Sequence, residues 1–277
     1  MENLSDDRPY INCFMLMTID GKVTGNFLSS ERCIFFLNLY NKMNKEFKTD
    51  GIIYGKTTIN ESYTNDYFPD LTKIKKKNIK KGDFIVKSKT KNYAITFDRR
   101  GTLGWKSNIL PGTKDKYIIQ IMTENVDNDY LIYLQEIKVS YIISGNTDIN
   151  IPNALKKLKK NFGINNLMLE GGSTINGAFL KANCIDEINL IVVPMTGENN
   201  DKSLFYESVM TIFKWVKIDK LKKEECYFVL KVKIVMMIVV IVKIMKVMID
   251  FFSVCFFFFV WRKKMIFLNN DELILKS

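Results

Sequence analysis

The chemistry available to this chain concentrates in residues 166–178, Asn-Leu-Met-Leu-Glu-Gly-Gly-Ser-Thr-Ile-Asn-Gly-Ala. The apolar run Leu167 to Leu169 reads as a short buried strand. Glu170, Gly171 and Gly172 follow at once, then Ser173-Thr174, which reads as the cap of a helix beginning at Ile175. A strand that breaks at glycines into a helix N-terminus is an anion-binding device. The N–H groups of the first turn lack helical partners, and the helix dipole favours negative charge there. Glycines without a Cβ let a ligand approach the backbone closely. Glu170 at the strand end projects toward the crevice where open α/β sheets bind ligands. An ordinary strand–turn–helix would use the same residues, so the stretch gains weight only from the rest of the chain.

Two further clusters add that weight. Gly51-Ile52-Ile53-Tyr54 reads as a strand ending in Gly55-Lys56-Thr57-Thr58, again a glycine followed by hydroxyls and a cation. The run Tyr10 to Met17 ends in Thr18-Ile19-Asp20-Gly21-Lys22, a turn with a carboxylate at its apex. Alone, Lys56 and Thr58 read equally as a solvated helix start, and Asp20-Gly21 as a plain turn.

The elements that must position these clusters alternate. Strands are expected at 10–17, 51–54, 93–97, 117–122, 139–143, 167–169 and 185–193. Helices are expected at 32–46 (capped by Ser29-Ser30), 128–137, 151–162 and 175–182. The helix 151–162 is amphipathic, with Ile151, Leu155, Leu158 and Phe162 on one face and lysines on the other. A hairpin, 213–218 with 227–232, closes the domain. This pattern predicts an α/β domain with a mostly parallel central sheet, helices on both faces and a C-terminal antiparallel hairpin. If the strands are parallel, the polar clusters gather along one edge, which suits a long phosphorylated ligand such as a dinucleotide.

Composition removes several classes of function. The 277 residues contain no histidine, which excludes His-dependent triads and imidazole acid–base catalysis. Five cysteines lie without Cys-x-x-Cys spacing, so neither a metal site nor a disulfide framework is expected, and a reducing cytoplasm fits. The net charge is +11, and Lys73 to Lys81 holds six lysines in nine residues. No aromatic interleaving accompanies that run, so it reads as a solvated loop and no nucleic-acid partner is expected. The polar, acidic N-terminus does not read as a signal peptide.

Arg8-Pro9-Tyr10 with Thr18 to Lys22, then Asp50 to Thr58, then Glu170 to Ala178, then Ile185-Asp186-Glu187 running to Pro194, resemble in order and spacing the reductase domain of the bacterial riboflavin-biosynthesis deaminase-reductase. That domain belongs to the dihydrofolate-reductase-like superfamily, and the resemblance covers residues 8–233. It implies a three-layer fold and NADPH as hydride donor. The pyrophosphate would lie at Gly172, Ser173, Thr174, Ile175, Asn176, Gly177 and Ala178, beside Gly171. Thr57 and Thr58 would touch a cofactor phosphate, and Lys56 would meet the 2′-phosphate as a point charge. Met17 would contact the nicotinamide end through its backbone. Asp20 and Glu170 would be the catalytic carboxylates, with Glu170 and Arg32 on the substrate. The implied reaction reduces a ribosylamino group on a pyrimidine 5′-phosphate to a ribitylamino group. The alternatives are reduction of another small carbonyl or a pteridine, or nucleotide binding without catalysis. The chain departs from the family in lacking the deaminase half and in carrying Phe14 where a basic residue is frequent. A homodimer is compatible with the superfamily.

Residues 234–277 differ in character. Ile234 to Trp261 is rich in Val, Met, Ile and Phe with Lys243, Lys246 and Asp250 inside. They read as a low-complexity extension outside the domain, with a membrane anchor as the second reading. Internal charges at about 2.5–3.5 kcal/mol each weigh against a span.

Overall fold

The computed structural model describes residues 7–74, 79, 81–205, 216–224 and 227–234, the last two segments as backbone only. Its strands are β1 (Tyr10–Thr18), β2 (Gly51–Tyr54), β3 (Tyr93–Phe97), β4 (Tyr117–Met122), β5 (Ser140–Ile143), β6 (Asn166–Leu169), β7 (Glu187–Val193), β8 (Val216–Glu224) and β9 (Tyr227–Ile234). The helices are α1 (Ile34–Glu46), α2 (Lys56–Ile59), α3 (Asn128–Glu136), α4 (Ile151–Phe162) and α5 (Ser173–Lys181).

The strands form one sheet in the order β5-β4-β3-β2-β6-β1-β7-β9-β8. The first seven pair in parallel, and β9 runs antiparallel to both β7 and β8. Every residue of β3 and β5 is buried. That follows from helices covering both faces, and it explains why these strands are mostly apolar rather than alternating, with Thr96 and Ser140 their buried polar residues. On one face α4 and α5 pack over Ile11, Cys13, Ile53, Ile95, Ile119, Leu167 and Leu169. On the other, α3 covers Tyr54, Ala94 and Ile118, and α1 covers Phe14, Leu16 and Met168. The period of two sends alternate residues of β1 and β6 to opposite cores.

The connection after β5 returns to insert β6 between β2 and β1. Strand order reverses there, so the ends of β1, β2 and β6 come together at the place where open sheets form a crevice. The expected edge is therefore present, with Asp20, Gly55, Asp98, Ser144 and Glu170 each following a parallel strand.

Two expected caps are not made. α5 begins at Ser173, two residues earlier than the expected Ile175, with Gly172 at its N-cap and no side-chain cap. Ser173 is already inside the helix, so its hydroxyl cannot reach the first-turn N–H groups. α1 is entered through a 3₁₀ turn, Glu31–Cys33, and Ser30 Oγ donates instead to the Phe27 carbonyl at 2.9 Å. Residues 213–215 of the expected hairpin and the expected tail at 235–277 lie outside the described residues. Among the described residues, no helix is long and apolar enough to cross a membrane.

Candidate functional site

β6 ends in a loop that crosses the sheet edge. Glu170 turns toward the α1 and α3 face, while Ser173 and Ile175 turn toward the α4 and α5 face. Between them Gly171 adopts φ +72°, and a Cβ there would meet Met15 Sδ at 3.1 Å and Asn176 Nδ2 at 3.0 Å. Glycine is required at that position by both conformation and space. The Gly171–Gly172 peptide is cis.

On the α4 and α5 side lies a groove of about 950 Å³. Its floor is Gly172, Ser173, Thr174, Ile175 and Ala178 of α5 with Gly55, Lys56, Thr57 and Thr58 of the β2–α2 junction. The two junctions are tied by Gly55 N–H donating to the Gly171 carbonyl at 2.7 Å. The groove was expected to hold these residues, and it brings them together. Asn176 and Gly177 are buried behind the first turn, with Asn176 Nδ2 donating to the Leu204 carbonyl at 3.3 Å.

Three observations describe what the groove accepts. No side chain caps α5, and Gly172, Ser173 and Thr174 at its start line the groove. Ser173 Oγ is buried there without a hydrogen-bond partner. A Cβ built on Gly172 meets nothing within 4 Å, so the space in front of that residue is open. A buried hydroxyl left unpaired costs roughly 1–3 kcal/mol, which a phosphate oxygen would recover. Lys56, Arg99, Lys181 and Lys202 add positive charge to the walls, against Glu61 and Asp148. Phe97, Ile149, Ile151 and Pro152 supply an apolar wall suited to a flat base. Arg99 and the 149–152 wall were missed in the sequence. The Asp98-Arg99-Arg100 cluster at the end of β3 was the available signal, whereas nothing local marks 149–152.

On the opposite face Glu170 is largely buried and accepts a hydrogen bond from Asn44 Nδ2 of α1. Burial pushes its carboxyl above the usual range, and the bond from Asn44 and the charge of Lys116 pull it back. Around it stand Tyr40, whose hydroxyl donates to the Phe14 carbonyl at 3.3 Å, and Tyr54, tilted against Tyr63 at 5.8 Å. Burial raises both tyrosine hydroxyls, with the Glu170 charge adding to the effect. Phe14 is fully buried and stacked on Tyr40 at 4.4 Å, so this strand position is part of the core.

Asp20 is exposed and is not part of the groove wall. Its Oδ1 accepts from Thr18 Oγ1 at 2.5 Å and from Gly197 N–H at 3.0 Å. These bonds, led by the one from Thr18, hold its carboxyl below the usual range. Asp20 thereby ties the β1 turn to the loop after β7, next to the Lys22–Ser203 bridge. Met17 is half-buried near the end of β1. Arg32 is exposed on the turn before α1. Among the described residues no cluster of His, Cys, Asp and Glu could hold a metal ion.

Comparison with known proteins gives this geometry a context. Residues 9–227 match the RibD C-terminal domain family. A 2,5-diamino-6-ribosylamino-4(3H)-pyrimidinone 5′-phosphate reductase of Aquifex aeolicus is 29% identical over 202 residues, covering 70% of this chain and 81% of the relative. Among solved structures, a pyrimidine reductase-like protein of Corynebacterium diphtheriae aligns with a TM-score of 0.60 at 14% identity, covering 83% of this chain and 93% of the other. RibD of Acinetobacter baumannii aligns with a TM-score of 0.58 at 16% identity over 84% of this chain, which spans 60% of the RibD chain. The two structural likenesses concern the fold.

Proposed function

The chain belongs to the RibD C-terminal domain family, and we propose that it is an NADPH-dependent reductase acting on a ribosylaminopyrimidine 5′-phosphate in riboflavin biosynthesis. The observation that carries this reading is the β6–α5 junction. It offers an uncapped helix N-terminus and an unpaired Ser173 hydroxyl on one face of the sheet and a buried carboxylate, Glu170, on the other. Two ligands, one anionic and one rich in N–H donors, then meet across a single loop. The Aquifex relative's name supports the substrate class.

The residues present fit the cofactor. Gly172 to Thr174 would hold its pyrophosphate, Thr57 and Thr58 a neighbouring phosphate oxygen, and Lys56 the 2′-phosphate. Phe97 and Ile151 would flank the adenine. When bound, NADPH supplies a hydride for the sugar carbon of the substrate. The chain's own share is positioning. The backbone at Met17 orients one ring, and the Glu170 carboxylate accepts hydrogen bonds from the pyrimidine. Asp20 would act by fixing the β1 turn against the loop after β7, through its bonds from Thr18 and Gly197.

Cofactor fluorescence on the full-length chain tests the reading. NADPH is expected to bind more tightly than NADH, and Lys56→Gln to weaken NADPH about tenfold, or about 1.4 kcal/mol, with NADH unaffected. NADPH oxidation should then depend on the ribosylaminopyrimidine phosphate. A folded chain that binds neither nucleotide would sink the proposal, and oxidation driven only by another carbonyl or a pteridine would replace its substrate half.

A further inference from the structure

Lys116 belongs to none of the motifs and does not line the groove. It stands just before β4, half-buried, with Nζ 3.3 Å from the Tyr54 hydroxyl and 5.8 Å from the centre of that ring. Tyr54 is buried at the end of β2, next to β6 in the sheet, where Ile53 pairs with Leu169. Glu170 follows Leu169 and turns to the opposite face, the one that carries Tyr54, and Asn44 reaches it from α1. The buried tyrosine therefore has a half-buried ammonium on one side and a half-buried carboxylate on the other. Burial lowers Lys116 and raises Glu170, and each charge opposes the effect of burial on the other.

We propose that Lys116 is the positioning residue for Glu170. Seated on the Tyr54 hydroxyl, its ammonium keeps the buried Glu170 side chain a carboxylate, so that Glu170 accepts hydrogen bonds from N–H donors of the substrate ring. A neutral Glu170 would turn one of its two acceptor oxygens into an O–H donor and so lose half of a paired contact with those N–H groups. Asn44 donates to the same carboxylate and favours its charged form more strongly than Lys116 does, and Lys116 adds to that bond a compensating positive charge. The groups facing Glu170 are Asn44 and Tyr40 from α1, Tyr54 from β2 and Lys116 from the start of β4. Tyr63 stands behind Tyr54, and Cys13 of β1 stands near Tyr40. Of these groups Lys116 alone carries positive charge. This assignment deepens the proposed function and rests on Glu170 facing the substrate.

The test is a carbon-13 NMR titration of glutamate carboxyls in the full-length chain, with the Glu170 signal identified by its loss in Glu170→Gln. In Lys116→Met the Glu170 midpoint should move up, and in Lys116→Arg it should stay near the starting value. Turnover at neutral pH should fall about tenfold in kcat/KM for Lys116→Met, with NADPH affinity unchanged. An unmoved midpoint in Lys116→Met overturns the proposal. If that variant does not fold, Tyr54→Phe keeps the ring, removes the hydroxyl seat and should raise the midpoint by a smaller amount; an unmoved midpoint there overturns it equally. The titration needs no substrate. A chain that titrates as expected but reduces no ribosylaminopyrimidine would refute the functional reading and leave the Lys116–Glu170 coupling standing.

Discussion

α4 and α5 pack on the same face of the sheet, and each follows a parallel strand through a short loop, yet their first turns are finished differently. In α4, Asn150 caps the helix, its side chain accepting from Asn153 N–H at 3.0 Å, and Pro152 sits in the first turn where its missing N–H costs nothing. α3, on the other face, is closed the same way by Asp127, which accepts from Asp129 N–H at 2.8 Å. α5 has a glycine at the cap position and a serine turned inward without a partner. α3 and α4 thus receive a side-chain cap from within the chain, whereas α5, like α1 and α2, receives none. α5 differs from those two in the buried Ser173 hydroxyl of its first turn, which has no partner. Under the proposed function, that difference separates a helix start that would bind an anion from one that serves only the fold.

The sharpest way to break this contrast is to finish α5 as α4 is finished. Gly172→Asp places a carboxylate at the cap, in open space, where the cofactor phosphates would lie. NADPH affinity measured by fluorescence should fall at least about 100-fold from charge repulsion and lost N–H donors. The thermal midpoint should hold or rise, because Asp is a better cap than Gly by a few tenths of a kcal/mol. Ser173→Ala separates the two roles of one atom. Removing an unpaired buried hydroxyl should leave the empty chain as stable or more so, by up to about 1 kcal/mol in denaturant unfolding, while cofactor affinity drops several-fold. Asp127→Ala is the converse control. It should cost about 1 kcal/mol of stability and leave NADPH binding unchanged, since that cap serves only the fold.

The smallest effect concerns Glu170. Burial raises its carboxyl above the unfolded value, so the folded chain keeps a proton at pH values where the unfolded chain has released it. This contribution to stability is present on the acid side and is lost as pH rises through the folded-state value. Glu170→Gln should remove that slope from a series of thermal midpoints across mildly acidic to neutral pH, giving a more stable protein at neutral pH that no longer reduces substrate. A midpoint series with the same slope in both proteins would show that Glu170 carries no burial cost.

Much of the fold was legible because its signals are local. Apolar strands, polar strand ends and the 3.6-residue stripe of α4 occupy consecutive residues, and the structure places those elements within a few residues of their expected bounds. The errors are local too. Ser173 reads as a cap because serine before an apolar helix usually is one, but the chain turns one residue earlier at Gly172. Ser30 reads as the cap of α1, but a 3₁₀ turn intervenes and its hydroxyl bonds backward. In both cases the residue type was informative and its turn position was decided by packing. The surroundings of Glu170 were not legible at all. Asn44 lies 126 residues from it in sequence, and no spacing rule connects them. The bond between Lys116 and Tyr54 spans 62 residues and is equally silent.

The sequence by itself determined where the β6–α5 junction lies and that it carries the residue types of an anion-binding turn, because glycines, a hydroxyl and a helix start act through neighbouring backbone groups. It determined as well that imidazole chemistry is absent. Which face of the sheet each residue serves was decided only by the tertiary structure. Inserting β6 between β2 and β1 brings Gly55 against Gly171, sets Lys56 beside Ser173, and turns Glu170 toward Asn44, Tyr54 and Lys116. A carboxylate's charge depends on burial and on its neighbours' charges, and both are properties of strand order rather than of any single stretch of chain.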